Sequence, residues 1–176
     1  ITMSARMRNP WFAVLLPFRD GGPDWEGFEN SIRWMIRSAE HFGIEIVFVL
    51  NADTGYIFQL DLQLYGEVIR RFREAFPQQQ IVCGTTAVGV GEGDAFSVDQ
   101  DLPQMEIAQS VAHSEVMLMT SRPLASLGQE AQRDAYFQLA DHLTVPGIFH
   151  ALEPAFVPWA RPFGPWLLHE LATHPK

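Results

Sequence analysis

Four short stretches of this chain carry the side chains best suited to chemistry. Asp53-Thr54-Gly55 follows an apolar run ending at Leu50, Thr120-Ser121-Arg122 follows one ending at Met119, His150 sits near the end of the run beginning at Gly147, and Glu153 lies just beyond it. A hydroxyl beside backbone N–H groups that a glycine leaves exposed can hold a carboxylate or other small anion; an ordinary strand-to-helix turn is the competing reading of Asp53-Thr54-Gly55. An imidazole at the mouth of an apolar strand can move a proton near neutral pH, although a core histidine bonded to a carbonyl would look the same. Arg122 can clamp an anion through two N–H groups or form a surface ion pair. Asp53, Glu153 and His150 together could instead ligate a metal for a hydrolase or a metal-dependent aldolase.

These residues fall at the ends of a repeating element. Apolar runs start at Phe12, Ile46, Ile81, Val116 and Gly147, between 31 and 35 residues apart. Most of the gaps hold a helix-period stripe: Phe28, Ile32, Met35, Ile36 and Ala39; then Leu64, Val68, Phe72 and Phe76; then Met105, Ala108 and Ala112; then Ala131, Ala135, Leu139 and Leu143. Asp24 is a candidate N-cap, Gly43 a stop, and Pro103 suits a first turn. The spacing predicts strands over Phe12–Leu16, Ile46–Leu50, Ile81–Gly84, Val116–Met119 and Gly147–Ala151. It predicts a last helix from Trp166, after prolines at 154, 158, 162 and 165 forbid a regular element. The continuous apolar runs suit strands covered on both faces, so the fold class is α/β: five β/α units of a (β/α)8 TIM barrel, which needs about 250 residues to close. In such an array ligands bind at the carboxyl ends of the strands, where Asp53, Thr54, Gly55, Tyr56, Gly84, Thr85, Thr86, Thr120, Ser121, Arg122, His150 and Glu153 all lie.

Composition narrows the class. A hydrophobic fraction of 47% with 13 Phe and 5 Trp supports one buried core, and residues 1–176 read as a single, partial barrel domain. A net charge of −9 would repel a phosphate backbone, so no nucleic acid is expected. No apolar run is long enough to span a membrane, and the one cysteine, Cys83, fits a reducing cytoplasm. Gly89, Gly91 and Gly93 lack the Lys-Ser/Thr and the spacing of a nucleotide loop, which leaves a flexible loop. The remaining histidines, His41, His113, His142, His169 and His174, sit in or near helices, where capping or solvation is expected. The only lysine is Lys176. Both ends read as cuts in a longer chain.

The chain resembles the dihydrodipicolinate synthase and N-acetylneuraminate lyase family of class I aldolases, from about Phe12 to Lys176. Leu16-Pro17-Phe18 with Asp20-Gly21 is similar to that family's opening Thr-Pro-Phe and Asp-Gly. Leu50-Asn51-Ala52-Asp53-Thr54-Gly55-Tyr56 is similar to its Gly-Thr-Thr-Gly-Glu turn, and Val82-Cys83-Gly84-Thr85 to its glycine-bearing third strand.

The resemblance implies a lyase that forms a Schiff base between a sixth-strand lysine, beyond Lys176, and pyruvate or a related 2-oxo acid. It needs no cofactor and no metal, and it implies a homo-oligomer, a dimer or tetramer. Transferred by position, Thr54 and Gly55 fall on the turn that holds the substrate carboxylate and His150 replaces a proton-relaying tyrosine; Asp53 and Arg122 are added as candidate substrate-binding residues. Three departures mark a divergent member, one being that Ser121-Arg122-Pro123 stands where many members carry a fourth-strand tyrosine lent across a dimer. Asp53 stands where a threonine is usual and would repel a bound carboxylate if ionised, and His150 brings the relay's ordinary pKa from about 10 to about 6.5. Three alternatives stand beside the aldolase: the metal site just described, a barrel that binds without catalysis, and an open five-stranded flavodoxin-like sheet.

Overall fold

The computed structural model describes residues 9–112 and 114–175, without the side chains of Val111 and Ala112; the expectations for Ala112, His113 and Lys176 lie outside the described residues. Strand β1 spans Trp11–Ala13, and Phe18–Arg19 (β2) pairs with Gly22–Pro23 (β3) in a small antiparallel hairpin. Helix α1, Trp25–His41, starts where Asp24 accepts the Gly27 N–H at 3.0 Å, and Gly43 follows its end at φ +64°, the conformation expected of a glycine stop. Strand β4 is Val47–Leu50, and α2, Leu62–Ala75, is capped by Asp61 through the Leu64 N–H at 2.7 Å. Then come β5 (Gln80–Thr85), α3 (Leu102–Ala112), β6 (Glu115–Met119), the short α4 (Arg122–Ala125), α5 (Gln129–Asp141), β7 (Gly147–His150) and α6 (Pro165–Leu171).

The five longer strands form one parallel sheet in the order β1-β4-β5-β6-β7. Each new strand is therefore added beside the last, with no reversal of direction across the sheet. A flavodoxin-like sheet needs such a reversal at its ligand-binding crevice, so the order excludes that alternative. Residues Val47 to Leu50 are all at most 6% exposed, as expected of a strand covered on both faces.

The first strand departs from that expectation. It is Trp11–Ala13 rather than Phe12–Leu16, and Trp11 and Phe12 are 40% and 42% exposed. Among the described residues β1 is an edge with a neighbour on one side only; the Val14 N–H still donates to the Val49 carbonyl at 2.9 Å before the chain turns away. Cys83 is fully buried, and burial pushes its thiol up to about 12, which makes it an inert core residue. No helix among the described residues is long and apolar enough to cross a membrane.

The sheet is curled. β4 and β7 are three strand spacings apart, roughly 14 Å on a flat sheet. Yet Phe58, just after β4, meets Trp159, beyond β7, ring to ring at 5.4 Å. The loops at the carboxyl ends thus converge as they do on the rim of a barrel.

Candidate active site

The rim is built outward from the ends of β4 and β5. Asn51 leaves β4 with φ +51°, and its buried amide donates to the Tyr65 carbonyl at 3.1 Å. The Tyr65 hydroxyl in turn donates to the Gly84 carbonyl at 2.8 Å. A side chain at Gly84 would drive its Cβ into the Asn51 carbonyl, so glycine is what lets the two strand ends approach this closely. This lock fixes where the next residues, Asp53, Thr54 and Gly55, emerge.

Asp53–Gly55 forms one turn of 3-10 helix. Asp53 is half-buried, Thr54 exposed and Gly55 buried. The Gly55 N–H donates to the Ala52 carbonyl at 3.0 Å and the Tyr56 N–H to the Asp53 carbonyl at 3.2 Å, so neither of those two N–H groups points free toward a ligand. An anion at this turn would rely on the Thr54 hydroxyl rather than on the Gly55 backbone. The sequence offered no sign of this, because a tight 3-10 turn and an open anion-holding loop use the same residue types.

His150 closes β7 and is half-buried. Burial pushes its imidazole below the ordinary value of 6.5, while the negative charge of Asp53 pulls it up. Asp53 follows the second strand of the sheet and His150 ends the fifth, and the carboxylate charge reaches the imidazole across the rim. At neutral pH the imidazole is uncharged and able to accept a proton.

The other candidates are committed differently. Arg122 opens α4 and pairs with Glu92 at 3.2 Å while stacking over Trp159 at 5.4 Å. It lines a cavity of about 260 Å³ with Ile57, Phe58, Thr86 and Trp159, whose wall includes neither Asp53, Thr54 nor His150. Ser121 caps α4, accepting the Leu124 N–H at 3.4 Å. Thr85 donates to the Met117 carbonyl at 3.4 Å, and the Thr86 N–H is held by Gln104 at 2.9 Å. Glu153 is exposed, and among the described residues no three His, Cys, Asp or Glu side chains gather as a metal set. The geometry thus gives no support to Asp53, Glu153 and His150 as joint ligands. Of the remaining histidines, His174 is not solvated: its side chain is 6% exposed, faces Asp141 at 3.6 Å and packs on Phe137 at 4.8 Å.

Two buried groups near this rim went unnoticed in the sequence. Asp101, at the start of α3, is 1% exposed, and burial pushes its carboxyl up to about 7. Tyr136, on α5, is fully buried with its hydroxyl 2.6 Å from that of Thr120.

By sequence, no family model and no curated protein matches this chain. Solved structures do. The prophage protein YagE from Escherichia coli K12, of the dihydrodipicolinic acid synthase family and solved with pyruvate, aligns at TM-score 0.75 and 17% identity over 93% of this chain and 50% of its own. The chloride-inhibited dihydrodipicolinate synthase from Acinetobacter baumannii, complexed with pyruvate, aligns at 0.74 and 21% over 95% and 52%. The Aquifex aeolicus synthase aligns at 0.73 and 15% over 94% and 51%. The fold is half of a dihydrodipicolinate synthase-type barrel. The chain spans about half the length of these structures, and its five β/α units account for that half.

Proposed function

We propose that the complete protein is a lyase of the Schiff-base aldolase type, acting on pyruvate or a related 2-oxo acid. The observation that carries this reading is a dihydrodipicolinate synthase-type half-barrel with Thr54, Asp53 and His150 all at its carboxyl rim. A lysine amine adds to the ketone carbon and water leaves, giving an imine; loss of a proton from the adjacent carbon then gives the enamine that forms or breaks the carbon–carbon bond. The five units present supply no such amine, since Lys176 is the only lysine in the sequence, so the nucleophile belongs to a further strand.

His150 is the proton acceptor, held neutral by burial, with the charge of Asp53 limiting how far its pKa falls. Thr54 donates its hydroxyl to the substrate carboxylate, with Gly55 shaping the turn beneath it, and Arg122 serves the distal end of a longer substrate once Glu92 lets go. A homo-oligomer in the cytoplasm completes the proposal, consistent with a single buried thiol.

Treating the complete protein with pyruvate and borohydride tests it. One lysine should become irreversibly modified; absence of any modified lysine across a panel of 2-oxo acids would overturn the reading.

A further inference from the structure

β7 has a neighbour on one side only, and its four residues are all half-buried. After His150 the chain runs without helix or strand until Pro165. The last backbone pair of the β6–β7 ladder is Met119 with His150, so the main chain offers no further anchor beyond the residue proposed to move the proton.

Side chains extend the ladder by one step. The Thr120 hydroxyl lies 3.4 Å from the His150 carbonyl and 2.6 Å from the Tyr136 hydroxyl. A carbonyl can only accept, so Thr120 donates to it, which leaves a Thr120 lone pair to receive the Tyr136 proton. The order Tyr136 to Thr120 to His150 is thereby fixed. Tyr136 belongs to α5, in the outer helix layer, and reaches the strand ends between two aromatic rings: Phe149 at 5.5 Å and Phe163 at 5.4 Å, both edge to face. It thus grips the residue before His150 and the proline-rich segment after it. Burial, with a contribution from the Asp101 charge, raises the Tyr136 pKa, so its hydroxyl remains a donor throughout the physiological range.

The geometry points to Tyr136 as a positioning residue that, through Thr120, holds the end of β7 and so fixes where His150 sits on the rim. Its catalytic importance rests on the proton-transfer role proposed for His150; the placement itself does not.

The test reads His150 directly. In this chain labelled at histidine Cε1, the six imidazoles are titrated by NMR and His150 is assigned by its loss in His150→Gln. Tyr136→Phe and Thr120→Val each cut the strut; the strand end loosens, water reaches the imidazole, and the midpoint rises toward 6.5. Thr120→Ser keeps the hydroxyl and retains the original midpoint. If Tyr136→Phe lowers only the melting temperature, and the midpoint in both strut-cutting variants stays at the parent value, the positioning role is overturned and Tyr136 is a core residue only. Should Tyr136→Phe fail to fold, the near-isosteric Thr120→Val decides alone. Failure of the complete protein to label with pyruvate would remove the lyase reading and leave this titration result standing.

Discussion

Asp53 and His150 lie at the ends of strands three spacings apart, yet the charge of one acts on the proton affinity of the other. The Phe58–Trp159 ring contact joins the loops beyond the same two strands. The pairing links fold to proposed chemistry: winding sets the distance, burial keeps the imidazole neutral, and Asp53 limits how far its pKa falls.

Replacing Asp53 by Asn removes the one charge that raises the His150 pKa. The His150 midpoint should fall further below 6.5, the opposite direction from the strut variants. NMR titration of the labelled imidazole measures it, and an unchanged midpoint would show that the two do not interact.

Asp101 sets a pH dependence of stability. Its folded pKa of about 7 lies above the ordinary 3.8, so the folded state holds the proton more tightly and the unfolded state loses it first as pH rises. Its contribution is complete below about pH 4 and is lost as pH climbs through 7, with a ceiling of roughly 4 kcal/mol. Denaturant midpoints should decline from pH 5 to pH 8 in the parent and decline much less in Asp101→Asn.

Much of the fold was legible because it is periodic. Apolar runs and 3.6-residue stripes placed the strands and helices within a few residues, and Asp24 and Pro103 marked helix starts for reasons of hydrogen-bond supply that hold before any packing exists. β1 came out shorter because edge position is a property of the assembled sheet. The β2–β3 hairpin has two-residue strands, too short to show alternation, and α4 was missed because Pro123 reads as a breaker, although a first-turn proline suits a helix. At the site, strand-end position alone picked out Asp53, Thr54 and His150. The Tyr136–Thr120 contact leaves no trace in any local pattern, since it joins elements that meet only in three dimensions.

Gly84→Ala should be among the most disruptive single changes. The added methyl meets the Asn51 carbonyl, which is backbone held beside the Tyr65 lock, and also crowds the Met119 sulfur at 3.0 Å. A loss of about 2–4 kcal/mol is expected. Gly89→Ala, with open space around it and only the strain of φ +71°, should cost about 1 kcal/mol. Urea denaturation of the pair checks the ranking, and equal losses would contradict it.

Arg122→Ala should change stability by less than about 1 kcal/mol, because its partner Glu92 is exposed and the pair is screened. If Arg122 contacts substrate, the complete protein should show a raised KM for the longer, acidic aldehyde or oxo-acid partner and an unchanged rate of pyruvate labelling. A KM equal to that of the parent would remove Arg122 from the site.

The most direct measurement follows the proton itself. In the complete protein, exchange of the pyruvate methyl hydrogens for deuterium is compared between the parent and His150→Gln, with borohydride labelling run in parallel. Labelling should persist in the variant while exchange falls by roughly a hundredfold; exchange at the parental rate in His150→Gln, or no labelled lysine in the parent, would contradict the account.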